Sequence, residues 1–586
     1  MASFDRAAAL ERLGAEQFDV LVIGGGITGA GVALDAATRG FRTAMVEASD
    51  FASGTSSKSS KMVHGGIRYL QQREFRLVYE NLAERQRLLE NAPHLVSPLP
   101  FVIPLFGQRG AVSKAVTRSF SAALWLYDLT GGVRIGRRHR RLSQEEVLRH
   151  LPTLRADRLV AGFLYFDARA DDARLTLAIA RTAALDHGAA VANYSPVVGL
   201  RSEAGRICGA VVHPVGADPL EVRARAVVNA TGVWAGAVAA LDAPGVVPSL
   251  RPAKGIHVTV PSSRFPADIA ATIPVREDRR VIFVVPWPEV DMVYLGTTDT
   301  GYEGPLDHPE CTPGDVDYLL RAANAVTTTK LTRADVTGAW VGLRPLLAPS
   351  DGSHAKLSER TSDLSRRHSV TTSAQGLVTV TGGKLTTYRK MAQDTVDRVV
   401  DLLDAGPRQS VTKHLPLRGA PTGGPAGAEE TAPPAVSGET CRGEAGHRTA
   451  ASLRSHLWAR YGTEATEVLR LAEGRADLLR PVVDGLPYVG AEVLYAAREE
   501  MARTLDDVLA RRTRALLQDA DGAAEAAPRV ASLIAPVLGW DPATAAAAAA
   551  EFAESSRRDL ERATSQEAAD GDAGLAPAGE MGAGPA

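Results

Sequence analysis

Cysteine is almost missing from this chain of 586 residues: Cys208, Cys311 and Cys441 lie far apart and have no metal-ligand spacing. A disulfide framework and a thiolate metal site are thereby excluded, and the three read as incidental thiols of a reducing compartment. No metal is expected. No run of about 18 apolar residues occurs, so no segment is expected to span a bilayer as a helix. The N-terminal M-A-S-F-D-R-A-A-A-L has no basic-then-apolar signal, so secretion is not indicated. Excess positive charge is missing too: 66 Lys and Arg stand against 68 Asp and Glu, a net of −2. Nucleic acid is therefore not expected as a partner. No internal repeat is evident. The length exceeds what one core supports, and two or three domains are expected.

Residues 19–47 carry the strongest pattern: D-V-L-V-I-G-G-G-I-T-G-A-G-V-A-L-D-A-A-T-R-G-F-R-T-A-M-V-E. Val20 to Ile23 form the apolar run of a buried parallel strand. Gly24, Gly26 and Gly29 have the G-x-G-x-x-G spacing. The first permits a tight turn, the second lets backbone approach a pyrophosphate, and the third lets helix and strand pack closely. The helix start favours phosphate charge. Glu47 ends the second strand, where a carboxylate binds ribose hydroxyls. A dinucleotide site follows, and the acid suits FAD or NAD while disfavouring a 2′-phosphate.

Farther along, residues 5–14 and 74–90 read as helices, and 98–106 and 160–166 as strands. The stretch 50–70 is too rich in Ser and Gly for regular structure. A helix capped by Asp171 or Asp172 ends at Gly188. Residues 224–235 form a buried strand running into a glycine turn. Residues 250–300 alternate short strands with Pro and Gly, as in an antiparallel sheet. Leu377 to Val380, Thr381-Gly382-Gly383 and a long helix repeat the opening pattern. The class is therefore α/β, with a discontinuous nucleotide domain over 18–403 and a second sheet inserted at about 98–165 and 245–335. Residues 404–448, with their Gly, Ala and Pro, read as a linker. Residues 449–563 form a C-terminal helical domain whose last helix starts at Asp541 and Pro542. A disordered tail is expected over 564–586.

Several constellations can carry chemistry. Val227 to Gly232 reads either as an ordinary strand end or as backbone passing a dinucleotide, with Thr231 and Gly232 at the turn. In S-S-K-S-S-K-M-V-H-G-G-I-R-Y-L, Ser57, Ser60, Lys61 and Gly65 are assigned to the cofactor. His64 is either a general base near neutral pH or a structural histidine. Arg344, within W-V-G-L-R-P-L, needs an anionic or hydrogen-bonding partner: a buried acid, a substrate anion or the flavin carbonyl edge. Gly383, Lys384, Leu385 and Thr386 open a helix but lack phosphate-loop spacing. That helix start can instead face an isoalloxazine ring. Residues 111–141 join aromatics to an arginine cluster, which reads as a site for anionic lipid or as a solvated hairpin.

Taken together, G-G-G-I-T-G-A-G, T-S-S-K-S-S-K-M-V-H-G-G-I-R-Y-L, G-L-R-P-L, G-G-K-L-T-T-Y-R-K and A-R-E-E-M-A-R-T-L-D-D-V-L-A-R-R-T-R resemble the FAD-dependent, membrane-associated glycerol-3-phosphate dehydrogenases. The resemblance covers roughly residues 18–400 and 450–520. It implies a two-sheet FAD-binding, Rossmann-like domain with a sheet over the substrate, and a helical C-terminal domain. It implies oxidation of sn-glycerol 3-phosphate to dihydroxyacetone phosphate, with electrons passed to a quinone, in a cytoplasmic protein peripheral to the inner face of the membrane. A homodimer is compatible with it. Substrate contacts are implied at Arg68, Arg344 and Lys384, with Tyr69 and Arg366 as further candidates. His64 falls where the family places a histidine near the flavin, and it is the expected base. Arg344 then polarises the C2 oxygen or holds phosphate. Three other readings are an oxidase delivering electrons to oxygen, a D-amino-acid-type oxidase with a carboxylate clamp, and a scaffold binding lipid or a partner with little catalysis.

Overall fold

Val20, Leu21 and Val22 are fully buried on the strand Gln17–Ile23, which is sandwiched between layers and cannot alternate polar with apolar residues. The computed structural model describes residues 4–67, 74–107, 114–128, 137–242, 250–275, 280–287, 289–347, 368–421 and 450–565. Gln17–Ile23 is central to the first sheet, with Leu220–Asn229 on one side and Thr43–Val46 on the other, all parallel. Leu377–Gly382 and Ala190–Ala192 extend the parallel set outward. His368–Thr372 closes one edge antiparallel, and the hairpin of Val197–Glu203 and Arg206–Val212 joins Leu220–Asn229.

Gly26 ends the first strand's turn, and the helix Ile27–Thr38 begins at once. It lies against Asp172–Arg181 and Tyr388–Leu403. A Cβ at Gly31 would stand 2.8 Å from the Tyr388 ring, so the small residue sets how closely those helices approach. The apolar faces of these helices and the sheet form one core, and Arg6–Ala15 covers a second on the opposite face.

The second sheet is larger and mostly antiparallel. Val96–Phe106 pairs with Leu159–Ala170, and Leu250–Pro261 pairs with both Met292–Gly296 and Gly338–Leu347. One parallel pair, Ala270–Pro274 with Val96–Phe106, joins the two halves. Pro313–Asn324 and Gln144–His150 cover one face through a core around Val102, Ile256 and Leu319. Phe101, Tyr165, Tyr294, Trp287 and Trp340 cluster together in another core. The short strand Met62–Val63 joins this sheet, so the Ser- and Gly-rich stretch read as loop is partly extended and paired.

Ala450–Tyr461, Gly490–Glu499, Ala520–Leu538 and Pro542–Thr564 make the C-terminal helical region. Asp541 caps the last of these by accepting from the Thr544 N–H at 2.7 Å, with Pro542 at its first position. The expectation that 404–421 belongs to a linker needs correction. Leu417 is buried and its N–H donates to the Asn91 carbonyl at 2.8 Å. Arg418 pairs with Asp186 at 2.6 Å and with Glu464 at 2.8 Å. Few large apolar residues are needed where hydrogen bonds and ion pairs fix the chain. The remaining linker expectation, 422–448, and all but the first two residues of the expected tail 564–586 fall outside the described residues.

Candidate active site

A cavity of about 560 Å³ runs between the two sheets. At one end stand Gly24, Gly26 and Glu47, at the carboxyl ends of the parallel strands. Gly24 takes φ +110, and a Cβ there would lie 2.8 Å from the Ala230 carbonyl oxygen. Gly29 does not line the cavity, and a Cβ there would overlap the Gly24 carbonyl. This is the helix–strand approach its spacing calls for. Glu47 accepts from the Gly25 N–H at 2.6 Å and the Ser49 N–H at 2.9 Å. Ser56 Oγ accepts from the Ile27 N–H at 2.9 Å, at the start of the helix. Thr231 and Gly232 line the same end, with Gly232 at φ +62.

At the other end, the turn Gly382 to Thr386 meets His64, Arg344 and His257 around the same space. Gly383 adopts φ +82, which brings Lys384, Leu385 and Thr386 into the cavity wall. Thr386 Oγ1 accepts from the His64 N–H at 3.2 Å, tying that histidine to the turn. Arg344 donates to Asp299 Oδ1 and Thr297 Oγ1, each at 3.2 Å, and to the Thr298 carbonyl at 3.3 Å. Gly255, facing Gly342 across the ladder, leaves room for this guanidinium.

His257 pairs in register with Trp340, and their rings stack at 4.8 Å and 6°. Its other neighbour in the ladder is Gly296, where any Cβ would strike the imidazole. Ser60 Oγ lies 2.8 Å from its Nε2. Burial, reinforced by Lys61 and Arg344, holds this imidazole far below the usual histidine range, so it stays neutral. Among the described residues, no cluster of three or more His, Cys, Asp or Glu is placed to hold a metal ion.

Residues 19–389 match the family described as FAD dependent oxidoreductase, and residues 410–545 match the C-terminal domain of alpha-glycerophosphate oxidase. The glycerol-3-phosphate dehydrogenase 2 of Mycobacterium tuberculosis is 43% identical over 541 residues, covering 92% of this chain and 88% of that protein. The mitochondrial glycerol-3-phosphate dehydrogenase of Mus musculus is 38% identical, over 89% of this chain and 71% of that one. The crystal structure of the glycerol-3-phosphate dehydrogenase from Bacillus halodurans complexed with FAD superimposes with a TM-score of 0.74 at 31% identity. That match covers 95% of this chain and 97% of the other. The chain belongs to the FAD-dependent glycerol-3-phosphate dehydrogenase family. Its cofactor is FAD, and the cavity fits it: a glycine turn and helix start for pyrophosphate, a carboxylate at the second strand's end, and a space lined by residues of both sheets.

Against this family frame, most of the residues singled out from the sequence meet in one cavity: Gly24, Gly26, Glu47, Ser60, His64, Thr231, Gly232, Gly383, Lys384, Leu385, Thr386 and Arg344. Besides Gly29, three assigned to the cofactor do not line it. Lys61 Nζ donates instead to the Ser57 carbonyl at 2.9 Å and to Asp172 at 3.1 Å, with the Trp340 ring at 5.0 Å. Burial, opposed by Asp172, pushes its ammonium down to about 8. Ser57 is buried beneath the wall as its carbonyl partner. Gly65 packs away from the cavity, its N–H donating to Tyr127 Oη at 3.0 Å and to Asp167 at 3.1 Å. The loop is polar as expected, but of its four residues assigned to the cofactor only Ser60 faces the cavity, and the other three fix the loop to its surroundings. Arg68, Tyr69 and Arg366 fall outside the described residues.

Sequence reasoning missed His257, Asp299 and Arg280, all of which line the cavity. A histidine inside the largely apolar strand Leu250–Pro261 was the available signal. The strands that bring them together are distant in sequence, and that pairing was not readable.

Proposed function

We propose that this enzyme oxidises sn-glycerol 3-phosphate at C2 to dihydroxyacetone phosphate and passes the electrons to a quinone. The observation that supports it most is the meeting of Arg344, Lys384 and His64, from three remote stretches, in one cavity with the cofactor wall. A dianionic phosphate calls for cationic, forked donors. A carboxylate substrate, as in an amino-acid oxidase, calls for fewer.

Bound FAD supplies the hydride acceptor. The side chains do the rest. Arg344 is braced on one side by Asp299, Thr297 and Thr298, so its guanidinium meets an anion without reorganising. It holds phosphate or offsets charge developing on the C2 oxygen. Lys384, lining the same cavity, adds a second cation. His64 takes the C2 hydroxyl proton, held in place by its backbone bond to Thr386. Neutral His257, stacked on Trp340 and bonded to Ser60, adds a polar edge without competing charge.

A quinone acceptor requires contact with a membrane surface. Among the described residues no helix is long and apolar enough to cross a membrane. Phe75 and Tyr79 on Phe75–Asn91, and Trp125 on Lys114–Tyr127, are each about half exposed, and both helices share one buried core. They favour contact near the arginine-rich 137–141 stretch.

The test is anaerobic mixing with glycerol 3-phosphate while flavin absorbance is followed. Bleaching is expected, and its absence refutes the substrate. Reoxidation by a short-chain quinone with little peroxide per turnover is expected next. Stoichiometric peroxide in air, with no quinone reduction, makes the enzyme an oxidase.

A further inference from the structure

One wall of the cavity is the segment 47–60, in which Glu47, Ala48, Ser49, Lys58, Ser59 and Ser60 all face the cofactor space. Its only helical piece is the single turn Thr55–Ser57. Ala52 and the adjoining Lys61 sit in the left-handed region, at φ +62 and +53. Non-glycine residues hold that conformation only where their surroundings over-determine it.

The surroundings come from the helical region. Arg511, Arg512 and Arg514 are all buried. Arg511 Nε donates to Asp50 at 2.7 Å, and Arg512 grips the same carboxylate through Nη1 at 2.6 Å and Nη2 at 2.8 Å. Asp50 directly follows the Glu47-to-Ser49 run. At the other end, Arg514 Nη2 donates to Asp172 Oδ1 at 2.6 Å. Asp172 Oδ2 in turn accepts from Ser59 N at 3.1 Å and Ser59 Oγ at 2.7 Å. Burial by itself would raise the Asp50 carboxyl, but Arg512 and Arg511 outweigh it and keep it ionised. Both ends of a strained wall are thus held by fixed charges from a single stretch of the helical region.

We infer that Arg511, Arg512 and Arg514 are positioning residues of a clamp that couples docking of the helical region to FAD retention. The inference rests on the FAD reading of the cavity. Coupling of this kind is reciprocal: the clamp tightens FAD, and FAD tightens the clamp. The alternative is ordinary ion pairing between packed bodies. Arg181, paired with Glu464 at 2.5 Å, makes such a contact with the helical region and hydrogen-bonds no residue of the wall.

The experiment compares R512M and R514M with R181M. FAD affinity of the full-length apoprotein is measured by flavin fluorescence, and melting temperature is measured without FAD. All three variants should melt lower. Only R512M and R514M should raise the FAD dissociation constant, by about tenfold or more, while R181M stays within about twofold of wild type. Equal FAD affinities for all three overturn the clamp. Should R512M fail to fold, Arg514→Lys keeps the charge but loses the fork and should give a smaller loosening in the same direction. Hydrogen exchange on the unaltered chain is the independent arm. FAD should slow exchange in 501–515 as well as in 47–61, and protection confined to 19–67 overturns the clamp. An apoprotein that takes up no flavin refutes the cofactor reading instead.

Discussion

Gly255→Ala perturbs the substrate end without removing any charge. A Cβ at Gly255 would stand 2.8 Å from Arg344 Cζ and 2.7 Å from Thr297 Oγ1, and closer still to Arg344 Nη2, whereas ordinary contact begins near 3.4 Å. Gly255 lies mid-strand, paired with Gly342 on one side, so the backbone cannot yield easily. The guanidinium must retreat instead, by on the order of 1 Å, and lose its brace on Thr297 and Asp299. A displacement of that size costs about 100-fold, or about 2.7 kcal/mol of transition-state stabilisation. The assay is steady-state reduction of a dye by glycerol 3-phosphate, with flavin content and melting temperature measured alongside. Gly301→Ala, where a Cβ meets nothing within 4 Å, is the control. In the Gly255→Ala background, Arg344→Ala should cost much less than it does alone, because the arginine is already displaced. Activity within about threefold of wild type, with flavin fully bound, refutes the role given to the Arg344 guanidinium.

Three further outcomes are expected. His64→Ala should slow turnover by about 10²–10⁴-fold with substrate deuterated at C2, and turnover near wild type at every pH removes His64 as the base. Gly29→Ala, whose Cβ would overlap the Gly24 carbonyl, should purify without flavin, and a stoichiometric yellow protein contradicts the tight-turn account. Burial alone would raise the Glu492 carboxyl, but His456 and Arg460 bring it down to about 2. Its folded value is depressed, so its stabilisation is present above the ordinary carboxylate range and is lost as pH falls from about 4.5 towards 2. About 3 kcal/mol should go with it, and Glu492→Gln should flatten that part of an acid melting series; an unchanged slope refutes the assignment.

Chain-local physics made part of this molecule legible without coordinates. The strand, glycine turn, helix and acid of residues 19–47 lie within one βαβ span, and steric and hydrogen-bonding rules act over that length. The cap at Asp541 and Pro542 is equally local. The resemblance to the family supplied the two sheets and the helical region as one architecture.

Position in space decided what local rules cannot. Lys61 and Ser60 are neighbours in one polar loop, yet Ser60 lines the cavity beside His257 while Lys61 turns under it to Asp172. Nothing in the loop's composition separates them. The difference comes from Asp172, supplied by a helix that starts after the second sheet's long strand Leu159–Ala170. The stack of His257 on Trp340 depends on the register of two strands far apart in the sequence. The arginines holding Asp50 come from the C-terminal helical region, 461 and 462 residues further along the chain. Residue type and short-range periodicity determined that the chain is built for a dinucleotide, and the family resemblance narrowed it to FAD. Which side chains meet that cofactor and which hold the wall behind it was decided by tertiary packing, because buried charges settle on partners from elsewhere in the chain.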